Sequence, residues 1–180
     1  MIVTLIVATS LDGKIAELAA QSSLAWTSKE DLQFFVKKTK EIGTLVMGRK
    51  TFQTIGKPLK DRKMYVLSYP GEENPTLERV EFTTESPAQL VDRLNREGVA
   101  GLAVCGGASV YSQFLSGGLV DEIFVTIEPY LFGSGIPLTK DFGRVNLAFV
   151  EMSQLGAQTV LLHYRVLSSL RGAKGDEAIS

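Results

Sequence analysis

Apolar residues fall along this chain in two rhythms. Residues 2–9 (IVTLIVAT) are apolar at nearly every position and rich in β-branched side chains, as a strand covered on both faces requires. Residues 45–47, 63–68 and 101–105 repeat that composition, and residues 80–83 make a shorter run. Between these runs the spacing changes to three and four. Leu32, Phe35, Val36 and Thr39 form the inner stripe of a helix that reaches about residue 41, and Leu90, Val91 and Leu94 form the stripe of one ending near residue 97. Shorter helices are predicted to start at Arg49 and over residues 108–115. A long strand over 121–130, a turn over 131–137 and two strands over 149–153 and 158–167 close the pattern. Strands alternating with helices and then a terminal strand pair predict one α/β domain over residues 1–167. Its central sheet is mainly parallel, flanked by helices, with an antiparallel C-terminal edge. Residues 168–180 are polar with scattered glycine and read as a frayed tail.

Punctuation sharpens the picture. After Trp26, Thr27 with Glu30 matches a capping box, and Ser28 with Asp31 is the alternative register. Ser86-Pro87 marks another helix start, with proline at the first helical position. Residues 10–14 (SLDGK) are a turn signal. Residues 15–25 show no period and read as a mobile loop, whose Ile15 and Leu24 either fold over a ligand or pack.

Twice a buried strand hands over to a helix through glycine: at Gly48, before Arg49, Lys50 and Thr51, and at Gly106-Gly107, before Ala108. Such a junction aims free backbone N–H groups, and the positive end of the helix dipole, past the strand end, which suits phosphate. Arg49 and Lys50 add charge and Thr51 a hydroxyl. Each junction alone is also explained by ordinary packing or a solvated basic turn; two at sheet C-terminal ends suit a ligand with separated phosphates. Neither G-x-G-x-x-G nor G-x-x-x-x-G-K-[ST] occurs, so a Rossmann fingerprint and a P-loop are not supported.

Composition narrows the chemistry. The 180 residues are 44% hydrophobic and 22% charged, with net charge −1, which argues against a broad nucleic-acid surface or a polybasic membrane patch. No apolar run approaches the roughly 20 residues of a membrane helix. The first apolar run lacks a preceding basic region, so a cytoplasmic protein is expected. One cysteine, Cys105, and one histidine, His163, leave nothing for a disulfide, a Cys-rich zinc site or a histidine triad, and no metal is expected. Any catalysis must rest on carboxylates, Tyr, Lys or a cofactor. Asp31 lies four residues before Phe35, on the same side of the helix. It is either a capping and dipole residue or a buried acid that holds a protonated nitrogen heterocycle. The helix start favours its charge and burial disfavours it; the sequence leaves the winner open. Cys105 reads as a packed small hydrophobe.

Residues 46–52 (VMGRKTF), 55–59 (IGKPL) and 62–63 (RK) resemble the central signature of dihydrofolate reductase. Trp26 followed by Asp31, and residues 105–111 (CGGASVY), are similar to two further elements of that family. The match runs in order over roughly residues 1–165. Residues 10–16 (SLDGKIA), 119–122 (LVDE) and 131–138 (LFGSGIPL) look more like the reductase domain of bacterial riboflavin biosynthesis. Two places depart from the usual dihydrofolate reductase pattern: Ala25 stands where proline is expected, and Ala108-Ser109 replace a third glycine and a basic residue.

The resemblance implies roles. Asp31 would bind the pterin edge and support protonation, with Trp26 and Thr126 beside it. Val7, Phe35, Ile55, Leu59 and Cys105 would line the substrate, and Arg62 would pair with its α-carboxylate. Gly48, Arg49, Lys50, Thr51, Leu67 and Ser68 would hold the phosphates of NADPH, including the 2′-phosphate. Gly106, Gly107, Ala108, Ser109, Val110 and Tyr111 would lie along the pyrophosphate and nicotinamide, with Ala8, Ile15 and Ala16 touching the ring. The implied reaction is reduction of 7,8-dihydrofolate to tetrahydrofolate by a monomer or homodimer. A riboflavin-pathway ribosylaminopyrimidine or other pterin-like ring is the alternative substrate. A catalytically silent pterin- or nucleotide-binding protein is the rival from another class.

Overall fold

The computed structural model describes residues 1–19, 21–139 and 143–167; the expected tail lies outside them. In chain order the elements are β1 (Ile2–Ser10), β2 (Lys14–Ala16), α1 (Lys29–Ile42), β3 (Thr44–Gly48), α2 (Arg49–Ile55), β4 (Lys63–Leu67), β5 (Val80–Thr83), α3 (Pro87–Arg96), β6 (Gly101–Val104), α4 (Ala108–Ser116), β7 (Glu122–Glu128), β8 (Ile136–Pro137), β9 (Asn146–Gln154) and β10 (Val160–Leu167).

Eight strands form one sheet in the order β5-β4-β3-β6-β1-β7-β10-β9. The first six run parallel. β10 is antiparallel to β7, and β9 to β10. This is the architecture the alternation predicted, and burial explains it. Val3, Leu5 and Val7 of β1 turn to the face covered by α3 and α4, where Leu90, Leu94 and Phe114 complete a core. Ile6 turns to the other face, where Phe52 of α2 and Phe34 and Phe35 of α1 close a second core. A strand covered on both sides needs apolar residues at successive positions, which is why β1 shows no polar alternation.

One open choice is settled and three expectations are revised. Ser28 caps α1, its hydroxyl accepting the Asp31 N–H at 3.1 Å, so the second capping register is the one realised. The α1 stripe divides: Thr39 is fully buried, whereas Leu32 is 40% exposed because the first turns overhang a cleft. The stretch read as a loop over 15–25 contains the end of β2, whose Lys14–Ala16 pairs with β8, and a 3-10 turn over Ser23–Ala25. β7 stops at Glu128, because Pro129 has no N–H to continue a ladder.

β3 and β6 are sheet neighbours. The two glycine junctions therefore stand side by side, tied by Gly48 N–H to Gly106 C=O at 2.8 Å and Cys105 N–H to Val46 C=O at 2.9 Å.

Candidate active site

A cleft of about 940 Å³ opens over the C-terminal ends of β1, β3, β4 and β6, between α1, α2 and α4. That is where an open parallel sheet binds ligands. Its wall divides into two halves of different chemistry.

One half is built for anions. Gly48, Arg49, Lys50 and Thr51 line it from the β3–α2 junction, Leu67 and Ser68 from the end of β4, and residues 106–111 from the start of α4. α1 and α3 are capped by the side chains of Ser28 and Ser86, but α2 and α4, capped by Gly48 and Gly107, have no side-chain cap. First-turn N–H groups without a side-chain acceptor, facing a cleft, suit phosphate oxygens. Closeness dictates the glycines. A Cβ on Gly107 would stand 3.3 Å from the Thr51 hydroxyl, and Gly106 has φ +107°, which disfavours side chains. These residues fit a dinucleotide laid across both junctions. Arg49 is already engaged: it donates to the Glu73 carbonyl at 2.7 Å and to the Asn74 side chain, with the Glu72 carboxylate 3.6 Å away.

Tyr111 and Cys105 are not acid–base groups here. The Tyr111 hydroxyl donates to the Ile6 carbonyl at 2.9 Å, and burial pushes its phenol well above the ordinary range. Tyr111 is a strut between α4 and β1. Burial also pushes the Cys105 thiol up to about 12, leaving it inert at neutral pH.

The other half is apolar around one acid. Phe35, Ile55 and Leu59 face Val7, Ala8 and Ile15 across it. Asp31 enters from the first turn of α1 and is hydrogen-bonded by the side chains of Thr126 and Thr27. Burial raises its pKa above the usual carboxylate range; the Thr126 bond opposes this, Glu128 adds to it and Thr27 opposes it. Burial thus wins the contest that the sequence left open.

Three expected members do not line the cleft: Thr126 stands behind Asp31, and two others are engaged elsewhere. Arg62 is only 5% exposed and is not part of the cleft wall; it donates from Nη1 to the Thr39 hydroxyl at 2.8 Å and from Nε to the Lys60 carbonyl at 3.0 Å. Trp26 is buried edge-on against Phe132, ring centroids 5.1 Å apart, and does not line the cleft either. Phe132 is held there by its loop. Asp12 accepts the Phe132 N–H at 3.1 Å and the Gly133 N–H at 2.8 Å, and a Cβ on Gly135 would press on the Ala16 carbonyl at 2.7 Å. The two stretches most similar to the riboflavin-pathway domain, residues 10–16 and 131–138, are therefore one physical unit at the cleft mouth.

Two residues went unread in the sequence. Glu72, in the polar loop after β4, carries no local pattern that marks it. Glu128 carries one: it shares a strand face with Phe124 and Thr126. It is 1% exposed and accepts hydrogen bonds from the Ser28 N–H and hydroxyl, both at 2.8 Å, and from the Thr159 hydroxyl at 3.0 Å. Among the described residues no cluster of ligating side chains could hold a metal, and no helix is long and apolar enough to cross a membrane.

A parallel sheet with a cleft over its strand ends, one half lined by glycine junctions and basic residues and the other apolar around one acid, defines the protein's class as an α/β fold with a ligand-sized cleft. The chain belongs to the dihydrofolate reductase family, whose sequence model matches residues 2–128. It is 27% identical over 168 residues to the uncharacterised protein YwjB of Bacillus subtilis, covering 89% of this chain and 95% of that one. A candidate riboflavin biosynthesis protein of Shewanella sp. PV-4 superposes with a TM-score of 0.80 at 24% identity, over 93% of this chain and all (100%) of that one. A diaminohydroxyphosphoribosylaminopyrimidine deaminase/5-amino-6-(5-phosphoribosylamino)uracil reductase of Thermotoga maritima superposes with a TM-score of 0.73 at 17% identity, over 92% of this chain and 56% of that one. Both share the fold.

Proposed function

We propose that this protein is an NADPH-dependent reductase acting on a pyrimidine of the riboflavin-pathway type, such as 5-amino-6-(5-phosphoribosylamino)uracil. The observation that carries the reading is Asp31, raised in pKa and held by Thr126 in the apolar half of the cleft, opposite two uncapped helix starts. NADPH, when bound, supplies the hydride. The chain's own residues do the rest. Asp31 accepts N–H bonds from the edge of a nitrogen heterocycle, and its raised pKa lets it hold a proton there. Phe35, Ile55 and Leu59 keep water from the ring. Gly48, Gly106 and Gly107 let the dinucleotide approach the backbone. Hydride transfer needs no protein nucleophile and no metal, only the nicotinamide set against the substrate's acceptor carbon, here the sugar carbon bonded to the amine, and one proton.

Arg62 weighs against a folate tail. A folate needs a cation for its α-carboxylate, and Arg62 is spent on Thr39 and Lys60. The remaining basic residues of the cleft wall, Arg49 and Lys50, lie in the phosphate half. The likeness to riboflavin-pathway folds supports the same choice. Reduction of 7,8-dihydrofolate is the second reading, favoured by the family match over residues 2–128.

The test follows NADPH absorbance with the ribosylaminopyrimidine and with dihydrofolate in parallel, with Asp31→Asn beside the wild type. The expected result is oxidation that requires the pyrimidine and collapses in the variant. Turnover with dihydrofolate alone would promote the second reading. NADPH binding without turnover on either would leave a silent binding protein.

A further inference from the structure

Behind Asp31 lies a second buried carboxylate that the reaction as described does not use. Among the described residues Glu128 makes no ion pair, and an uncompensated buried charge is costly. An amide of the same shape would accept from Ser28 just as well and could donate to Thr159, without the cost of a charge. Its position accounts for the carboxylate. Glu128 Oε1 takes both the N–H and the hydroxyl of Ser28. That same hydroxyl oxygen accepts the Asp31 N–H at 3.1 Å. One atom, the Ser28 Oγ, therefore separates Glu128 from the Asp31 backbone. Thr159 Oγ1 closes the group from β10, 3.0 Å from Glu128 Oε2 and 3.2 Å from the Ser28 hydroxyl. Two residues earlier on β7, Thr126 bonds the Asp31 side chain. A single strand thus holds Asp31 twice, by its side chain through Thr126 and by its backbone through Glu128 and Ser28.

We propose that Glu128 is a positioning residue for the reaction: from β7 it grips the cap of α1 and sets both where the Asp31 carboxylate stands and the electrostatic field it feels. This rests on the ring-binding role given to Asp31 above. The ionisable groups that face Asp31 are Glu128 from β7 and the Tyr111 phenol from α4, and its neutral partners are Thr126 and Thr27. Tyr111 is un-ionised at working pH, so Glu128 is the charge that acts on Asp31.

Three variants in the full chain test this: Glu128→Gln, Glu128→Ala and Thr159→Val. Three readouts separate the roles: the Asp31 carboxyl titration by carbon NMR of the ligand-free protein, kcat and KM across pH, and NADPH binding by fluorescence. Glu128→Gln keeps the grip and removes the charge. The Asp31 titration and the matching limb of the pH profile should both move to lower pH, whichever protonation form the reaction uses. Glu128→Ala removes the grip, and kcat should fall about 100-fold, the usual loss for a reacting group displaced by about 1 Å. Glu128→Gln should recover most of that loss at its own optimum, and Thr159→Val should fall between the two. NADPH affinity should stay unchanged throughout. An Asp31 titration that does not move in Glu128→Gln would overturn the proposal, even if Glu128→Ala fails to fold. Unaltered kcat in a folded Glu128→Ala would overturn it as well. If the wild type neither binds NADPH nor turns over, the functional reading fails, while the NMR titration still reports the link between Glu128 and Asp31.

Discussion

The carboxylate of Asp12 accepts the backbone N–H of Gly133 at 2.8 Å, joining two turns 121 residues apart in sequence. The Ser10 hydroxyl and the Phe132 N–H add further bonds, and together they pull the Asp12 pKa down to about 2, the Ser10 bond acting most strongly. Its folded value lies below the ordinary 3.8. The stability it contributes is present above about 3.8 and is lost as pH falls through about 2. Asp12→Ala should speed hydrogen exchange at the Phe132 and Gly133 amides and lower the melting temperature at neutral pH. The two proteins should converge towards pH 2. Unchanged exchange at both amides would show that the loop is held by Trp26 and Phe132 alone.

Asp31 has the opposite sign. Its folded pKa is raised, so its favourable contribution is complete below the unfolded value and is lost as pH rises through the folded one. Above that folded value the wild type carries an ionised, poorly solvated group. Asp31→Asn should therefore melt higher than the wild type there, with the gap closing as pH falls towards the ordinary 3.8. It should also lose about 10²–10⁴-fold in hydride transfer. A stabilised, inactive variant is the expected signature of a site that sacrifices stability for chemistry.

Arg62 separates the substrate readings by the kind of damage it does. Arg62→Leu leaves the Thr39 hydroxyl and the Lys60 carbonyl without their donor. Urea denaturation should show a loss of about 1–3 kcal/mol, the cost of orphaned buried polar groups. KM for the ribosylaminopyrimidine should stay close to wild type. A KM that rises steeply for dihydrofolate, with stability intact, would return Arg62 to the substrate.

Glu72 competes for Arg49. If Arg49 reads the 2′-phosphate, a carboxylate 3.6 Å away must be displaced or tolerated when NADPH arrives. Glu72→Gln should tighten NADPH by up to about fivefold, the worth of a surface ion pair near 1 kcal/mol, and leave NADH unchanged. Changing Arg49 and Lys50 to Ala should weaken NADPH far more than NADH. Fluorescence titration with both cofactors tests each expectation.

What was legible in the chain was whatever local pattern encodes. The apolar run of β1 marked a doubly covered strand, Ser86-Pro87 marked the start of α3, and the glycines at 48, 106 and 107 marked the junctions that the structure places side by side. Legibility failed where a partner lay far off in sequence. Nothing near Lys14 announces Pro137, its partner in β2–β8, and nothing near Ser28 announces Glu128 or Thr159. Arg62 was ambiguous because a guanidinium that serves a ligand and one that ties a helix to a loop look identical in a motif. Burial alone tells them apart.

The order of strands in the sheet also sets an order in time. β1 leaves the ribosome before the other strands of this sheet, yet its neighbours are β6 and β7, which begin at Gly101 and Glu122. Until then only β3, β4 and β5 can assemble with one another. A nascent chain halted near residue 100 would hold its most apolar strand with both hydrogen-bonding edges bare, the kind of segment that trigger-type chaperones shield and that stalled or truncated products expose to aggregation.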